Sequence, residues 1–218
     1  MSPFRSAAAL AVGVSLVVAG QAGAAAEKPK LVPVCNLITD DAGDASVVTA
    51  QDGMDILSGD LASNGKDLTA VIRLKGAPAQ MNPQSASATD YYVSFVAPGS
   101  AAPQYLHATL PFTGAAVFAT GQTTTIQGQS NNSDDSGSGA TGSIKGNVVT
   151  ISAPLTAFTR VTVKPGTKVT GLAASTWAEI GVPFPQPIGA VGVLQRVDDA
   201  SGKDYTAGAL SCVTPGKV

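Results

Sequence analysis

Carboxylates supply the first chemistry that this sequence offers. Asp40, Asp41 and Asp44 crowd into a short turn-forming stretch, TDDAGD, and Asp55 opens the extended run that follows. Hard oxygen donors at this density suit Ca2+, which takes roughly six to eight oxygen ligands and needs only weak affinity outside cells. Gly43 gives the turn the backbone freedom that a tight ion-binding loop requires. The pattern predicts that Asp40, Asp44 and Asp55 converge on one cation, Ca2+, with backbone carbonyls completing its shell. Carboxylates held close together raise one another's pKa unless a cation offsets them. The alternative is a solvated turn held by Asx hydrogen bonds. Asp198, Asp199 and Asp204 mark a second acidic stretch, expected to be a plain hairpin loop.

His107 is the only histidine. A serine hydrolase could use it beside an aspartate, but no Gly-x-Ser-x-Gly elbow is present. On an alternating strand it is expected to face solvent. With one histidine and no cysteine to spare, a zinc centre is not expected. The two cysteines, Cys35 and Cys212, lack CxxC or Cys-His spacing. In an exported chain they are expected to pair and staple the first strand to the last. The chain-entropy model gives about 5 kcal/mol as a ceiling for so long a loop.

Export is indicated by the N-terminus. Arg5 precedes an uncharged run of small and apolar residues, Ala7 to Ala19, followed by small-x-small sites at Ala22–Ala24 and Ala24–Ala26. That is the form of a secretory signal peptide over 1–26, and the apolar run is short for a membrane span. Residues 27–218 are then expected to form a single domain, secreted to the extracellular space or cell envelope, with no membrane insertion. The net charge of −2 offers no footprint for nucleic acid.

The elements that must position these residues read as strands. Asn64-Gly65 divides two extended runs between Asp52 and Lys75, and Asn-Gly suits a tight hairpin turn. Leu68, Ala70, Ile72 and Leu74 alternate with Thr69, Val71, Arg73 and Lys75, giving one apolar face and one mostly wet face. Gly59 in the first run is expected to mark a bulge or a close backbone approach. Tyr91 to Val96 is rich in aromatic and β-branched residues and is expected to be a strand. Tyr91 and Tyr92 must point to opposite faces. Gln104 to Leu110 alternates, with Tyr105, His107 and Thr109 on one side. Val117–Thr120 and Thr123–Gln127 are expected as two strands around a Gly121 turn. The polar stretch 129–142 is expected to be a long flexible loop. Ser143 to Ala153 should form a second hairpin, turning at Lys145-Gly146-Asn147, and Pro154 to Phe158 one helical turn. Val169 to Glu179 should be a long strand, with Trp177 in the core beside Phe95. The whole is an all-β, antiparallel sandwich, immunoglobulin-like or jelly-roll-like, of roughly nine to eleven strands.

The segments DDAGDA, MDILSGDLASNGKDLTAVIRLK, YYVSF, GSIKGNVVTISAPLTAF and GTKVTGLAAST resemble secreted bacterial β-sandwich domains. These are the DOMON-like and family 9 carbohydrate-binding-module-like sandwiches, including the C-terminal module of glucodextranase-type enzymes. The resemblance implies an add-on module that binds sugar, in some members with a structural calcium ion and in others with haem. Haem ligation here would fall to His107 with Met54 or Met81. Family 9 modules grip sugar between aromatic rings, and this chain has one tryptophan.

Three functions follow in order. The first is a secreted, non-catalytic binding module for polysaccharide. The second is a structural or adhesion protein that binds other proteins at the cell surface. A hydrolase comes last.

Overall fold

In the computed structural model, residues 33–46, 52–80, 87–126, 129–180 and 193–218 are described. The signal peptide expected at 1–26, Met81 and the proline-rich stretch 181–189 lie outside them. Among the described residues there are twelve strands and one short 3-10 turn. The strands are β1 (Ile38–Thr39), β2 (Ile56–Ser63), β3 (Asp67–Leu74), β4 (Ala88–Val96), β5 (Gln104–Pro111) and β6 (Val117–Ile126). They continue with β7 (Gln129–Asp134), β8 (Thr141–Lys145), β9 (Val148–Pro154), β10 (Lys168–Ile180), β11 (Val193–Ser201) and β12 (Tyr205–Thr206). The 3-10 turn, Leu155–Ala157, is the single helical turn expected after Pro154.

Two antiparallel sheets result, as an all-β sandwich demands. One holds five strands in the order β1-β2-β3-β9-β8. The other holds seven: β11-β10-β4-β5-β6-β7 in line, with β12 beside β10. The Asn64-Gly65 hairpin joins β2 to β3, and its register slips by one between Ile56 and Ser58, next to Gly59. Leu61, Leu68, Ala70, Ile72 and Leu74 face inward from the smaller sheet, and Tyr91, Val93, Phe95, Leu106 and Leu172 from the larger. Burial of each large side chain contributes roughly 1.5–3 kcal/mol against leaving it in water.

Several expectations need correction. The face of β3 opposite the core is not wet: Thr69 and Val71 are buried. Thr69 Oγ1 bonds Ser152 Oγ at 2.8 Å and accepts the Gly216 N–H at 2.8 Å, so the C-terminal segment lies against this face. Gly121 is not a turn but the middle of one continuous strand, β6. Half of the expected flexible loop is β7, paired along its length with β6. The second acidic stretch is only partly a loop: Asp198 and Asp199 lie inside β11, while Asp204 lies in the connection before β12.

The disulfide forms as expected. Cys35 and Cys212 are bonded, with Cα atoms 5.3 Å apart. Beside them Val34 makes a parallel bridge to Ser211, and its N–H donates to the Leu210 carbonyl at 3.1 Å.

Candidate binding cleft and acidic cluster

The outer face of the seven-stranded sheet carries a row of polar and aromatic side chains. Strand alternation places Tyr91 in the core and turns Tyr92 outward. Register then aligns Ser175, Tyr92 and His107 across β10, β4 and β5, with Ser94 and Tyr105 in the next row. A cleft of about 400 Å³ opens over this face, lined by Tyr92, Tyr105, Trp177, Asn131, Asn132 and Arg196 among others. Trp177 is therefore not a core residue. It is half-buried, and its Nε1 donates to Ser175 Oγ at 2.9 Å. The Arg196 guanidinium lies over its ring, 5.3 Å from the centroid. Alternation along β10 causes this placement: Leu172, Ala174, Thr176 and Ala178 are buried, so Ser175 and Trp177 share the outer face. The β10–β11 register skips Val197, which leaves Trp177 opposite Arg196.

Beneath the cleft lies a network that alternation alone did not reveal. His107 is 6% exposed, not solvated. Its Nε2 is 2.9 Å from Asp90 Oδ1, and its Nδ1 is 3.2 Å from each oxygen of Asp134. Burial disfavours its charge, but the hydrogen bonds and charges of Asp134 and Asp90 outweigh burial and push its pKa up to about 9. Burial would raise the Asp134 pKa, yet the contacts with His107 and Tyr105 hold it below the ordinary value. Thr109 Oγ1 donates to Asp90 at 2.7 Å, and the Tyr105 hydroxyl donates to Asp134 at 2.9 Å. Asp90 and Asp134 fell in stretches expected to be loops. Running β4 back by three residues would have put Asp90, Tyr92 and Ser94 on one face, which is the signal that was missed.

The acidic cluster sits elsewhere, at the junction of the two sheets. Asp40 and Asp44 do come together, and the third member is Asp198 of β11: one carboxylate oxygen of each lies within 4.8 Å of the others. Asp55 stands beside them but is engaged otherwise. Its Oδ2 accepts the Gly43 N–H at 2.8 Å and faces Lys75 Nζ at 3.4 Å. Asp198 is fixed by the Ile56 and Asp199 N–H groups, at 2.7 and 2.8 Å. Burial first, then the Asp198, Asp44 and Asp199 charges, lift the Asp40 pKa to about 6 against the opposing Asp41 N–H. The Asp198 pKa is raised too, by burial and by the charges of Asp44 and Asp55. Asp40 Oδ2 and Asp55 Oδ1 are buried without a hydrogen-bond partner. Crowded, desolvated and under-bonded carboxylate oxygens are the donor set that a hard cation satisfies.

Met54, one of the two methionines considered for haem, is buried with Ala178 and Val197. Both nitrogens of His107 are taken by carboxylates. Among the described residues, no helix is long and apolar enough to cross a membrane. No family model matches this chain, and no curated protein is significantly similar to it in sequence.

Proposed function

We propose that the protein is an exported, non-catalytic carbohydrate-binding module. The observation that carries this is the cleft on the outer face of the seven-stranded sheet. It offers one half-open indole, Trp177, to the apolar face of a sugar ring. Around it stand side chains suited to sugar hydroxyls: Asn131, Asn132, Ser94, Thr123 and Arg196. A few convergent polar groups beside an apolar surface are the usual make-up of a small-ligand site. The resemblance of the chain's motifs to carbohydrate-binding sandwiches points the same way. So does His107: with each ring nitrogen facing a carboxylate, it has no free nitrogen with which to act as a general base.

The same proposal includes a structural calcium ion at Asp40, Asp44 and Asp198. The ion would neutralise three carboxylates that otherwise repel, and it would tie the β1–β2 connection to β11. Its part is in stability, away from the cleft.

Affinity electrophoresis against soluble α- and β-glucans, xylan, mannan and pectin tests the main claim. Retardation by at least one polysaccharide, lost in Trp177→Ala, is the expected result. No retardation by any of them, with retained capture of a cell-surface protein, would replace this reading with that of an adhesion protein.

A further inference from the structure

Among the described residues, the strand β7 is an edge strand whose backbone ladder runs to β6. Its sequence, QSNNSD, has no apolar side chain to bury. An edge built this way has little to hold it, and strand ends with few buried contacts open readily. It nonetheless carries Asn131 and Asn132, two of the side chains that line the cleft.

What holds it is a charged clamp that reaches across a neighbouring strand. Asp134, the last residue of β7, pairs in register with Gly121, which pairs in turn with Tyr105. A Cβ at Gly121 would run into the Tyr105 ring and the Ser133 carbonyl oxygen. The bare glycine is what lets Tyr105 on β5 step over β6 to Asp134, which His107 also contacts. On its other side His107 is anchored to Asp90 of β4. The groups that face the imidazole are Asp90 and Tyr92 from β4, Tyr105 and Thr109 from β5, and Asp134 from β7. Glu179 on β10 and Asp135 act on the flanking tyrosines from farther out. The Tyr92 hydroxyl, in turn, is in hydrogen-bond contact with the Asn132 side chain, whose Oδ1 also accepts from Thr123 Oγ1 at 2.8 Å.

We infer that His107 is a positioning residue for the cleft: its imidazolium, clamped between Asp90 and Asp134, pins β7 to the sheet and so holds Asn131 and Asn132 as one wall. That the wall serves ligand binding rests on the preceding section; the pinning itself does not. Both nitrogens face carboxylate oxygens, which only accept, and the Thr109 hydroxyl beside Nε2 gives its proton to Asp90, so the doubly protonated ring satisfies the site and the neutral ring leaves one contact without a proton. The pin therefore depends on charge. Burial opposes that charge, but the two carboxylates keep His107 protonated up to a pH of about 9.

Carbon-detected NMR of the full chain tests this without any ligand. Cα and Cβ shifts of residues 130–134 report strand content, and the His107 ring carbons report its protonation. In the wild type we expect strand-like shifts at neutral pH that move toward coil values with the same midpoint as the His107 titration. In His107→Gln the β7 shifts should be coil-like at every pH, while those of β3 and β9 stay strand-like. Arg160→Gln, which removes only the exposed partner of Asp135 and Gln122, should leave β7 in place. Strand-like β7 shifts in His107→Gln, or wild-type shifts that ignore the His107 titration, would overturn the inference. If His107→Gln does not fold, Asp134→Asn gives the same comparison with Asp90 still bound. If neither folds, the wild-type titration decides. Failure of the polysaccharide panel bears only on the preceding proposal, since the shifts are read on the protein alone.

Discussion

The Tyr92 ring lies flat on the His107 imidazole, with centroids 4.1 Å apart and planes 7° apart. Tyr105 stands edge-on to both, at 5.2 Å from Tyr92 and 6.1 Å from His107. The stack seals one face of the histidine, so its charge is held by two carboxylates and an aromatic face with almost no water.

That arrangement fixes a pH dependence. The folded pKa of His107 is raised from 6.5 to about 9, so its stabilising contribution is complete below the unfolded value and lost as pH climbs through 9. The shift corresponds to on the order of 3 kcal/mol as an upper bound. Asp134 contributes at the other end: its folded pKa lies below the ordinary value, so its share is lost as pH falls toward and through that depressed pKa. Urea unfolding of wild type and His107→Gln at about pH 6 and about pH 10 should show a gap that closes at the higher pH. An equal gap at both values would show that the histidine acts through packing alone.

Calcium should raise the melting temperature and EDTA should lower it. At a concentration about tenfold above Kd, mass action adds about 1.4 kcal/mol, or roughly 3–6 °C for a domain of this size. Asp198→Asn should abolish the response. Asp55→Asn should lower stability, because Asp55 Oδ2 serves Gly43 and Lys75, and should weaken the response less than Asp198→Asn, because only its unpartnered Oδ1 is left for the ion. The effect should fade below a pH of about 6, where Asp40 takes up a proton. A melting curve indifferent to both additives removes the ion from this proposal.

Trp177→Ala should weaken polysaccharide retention about tenfold, equivalent to about 1.4 kcal/mol. Global stability should change by less, since the ring is half-exposed and its cation partner Arg196 is itself 53% exposed. Loss of fold in this variant, measured by circular dichroism, would place Trp177 in the structural core after all.

Ile72→Ala should cost about 2–5 kcal/mol, the usual range for truncating a fully buried aliphatic side chain. Replacing Cys35 and Cys212 together by serine should cost up to about 5 kcal/mol, given a separation of 177 residues between them. Both values come from chemical unfolding of the oxidised protein, and a double serine variant as stable as the wild type would limit the bridge to a passive role.

The hairpins were legible because two local signals agree in them: alternation along the strands and turn residues at Asn64-Gly65 and Gly146-Asn147. β4 was legible from its aromatic and β-branched content and β5 from its alternation. β7 was not, because an edge strand whose side chains face a cleft and solvent needs no apolar residue, so Asn131, Asn132 and Asp134 read as loop. Gly121 misled for a related reason: its missing side chain makes room for Tyr105 rather than bending the chain. In the acidic cluster, Asp40 and Asp44 are local and were found. Asp198 is distant in sequence and arrives through the β10–β11 register, which no single-sequence pattern sets. His107 was visible, but its partners come from β4 and from β7, a strand read as loop, so its clamp was not.

The Cys35–Cys212 bond also has a mechanical consequence. Beyond the Val34 bridge to Ser211 and the Gly216 contact with Thr69, tension applied to the segments on either side of residues 35 and 212 meets a covalent link before it meets the strand ladders of the sheets. The load passes through the sulfurs and never reaches β2 or β10. A chain pulled in this way lengthens by none of the 176 residues between the cysteines, 36–211, until the link is reduced.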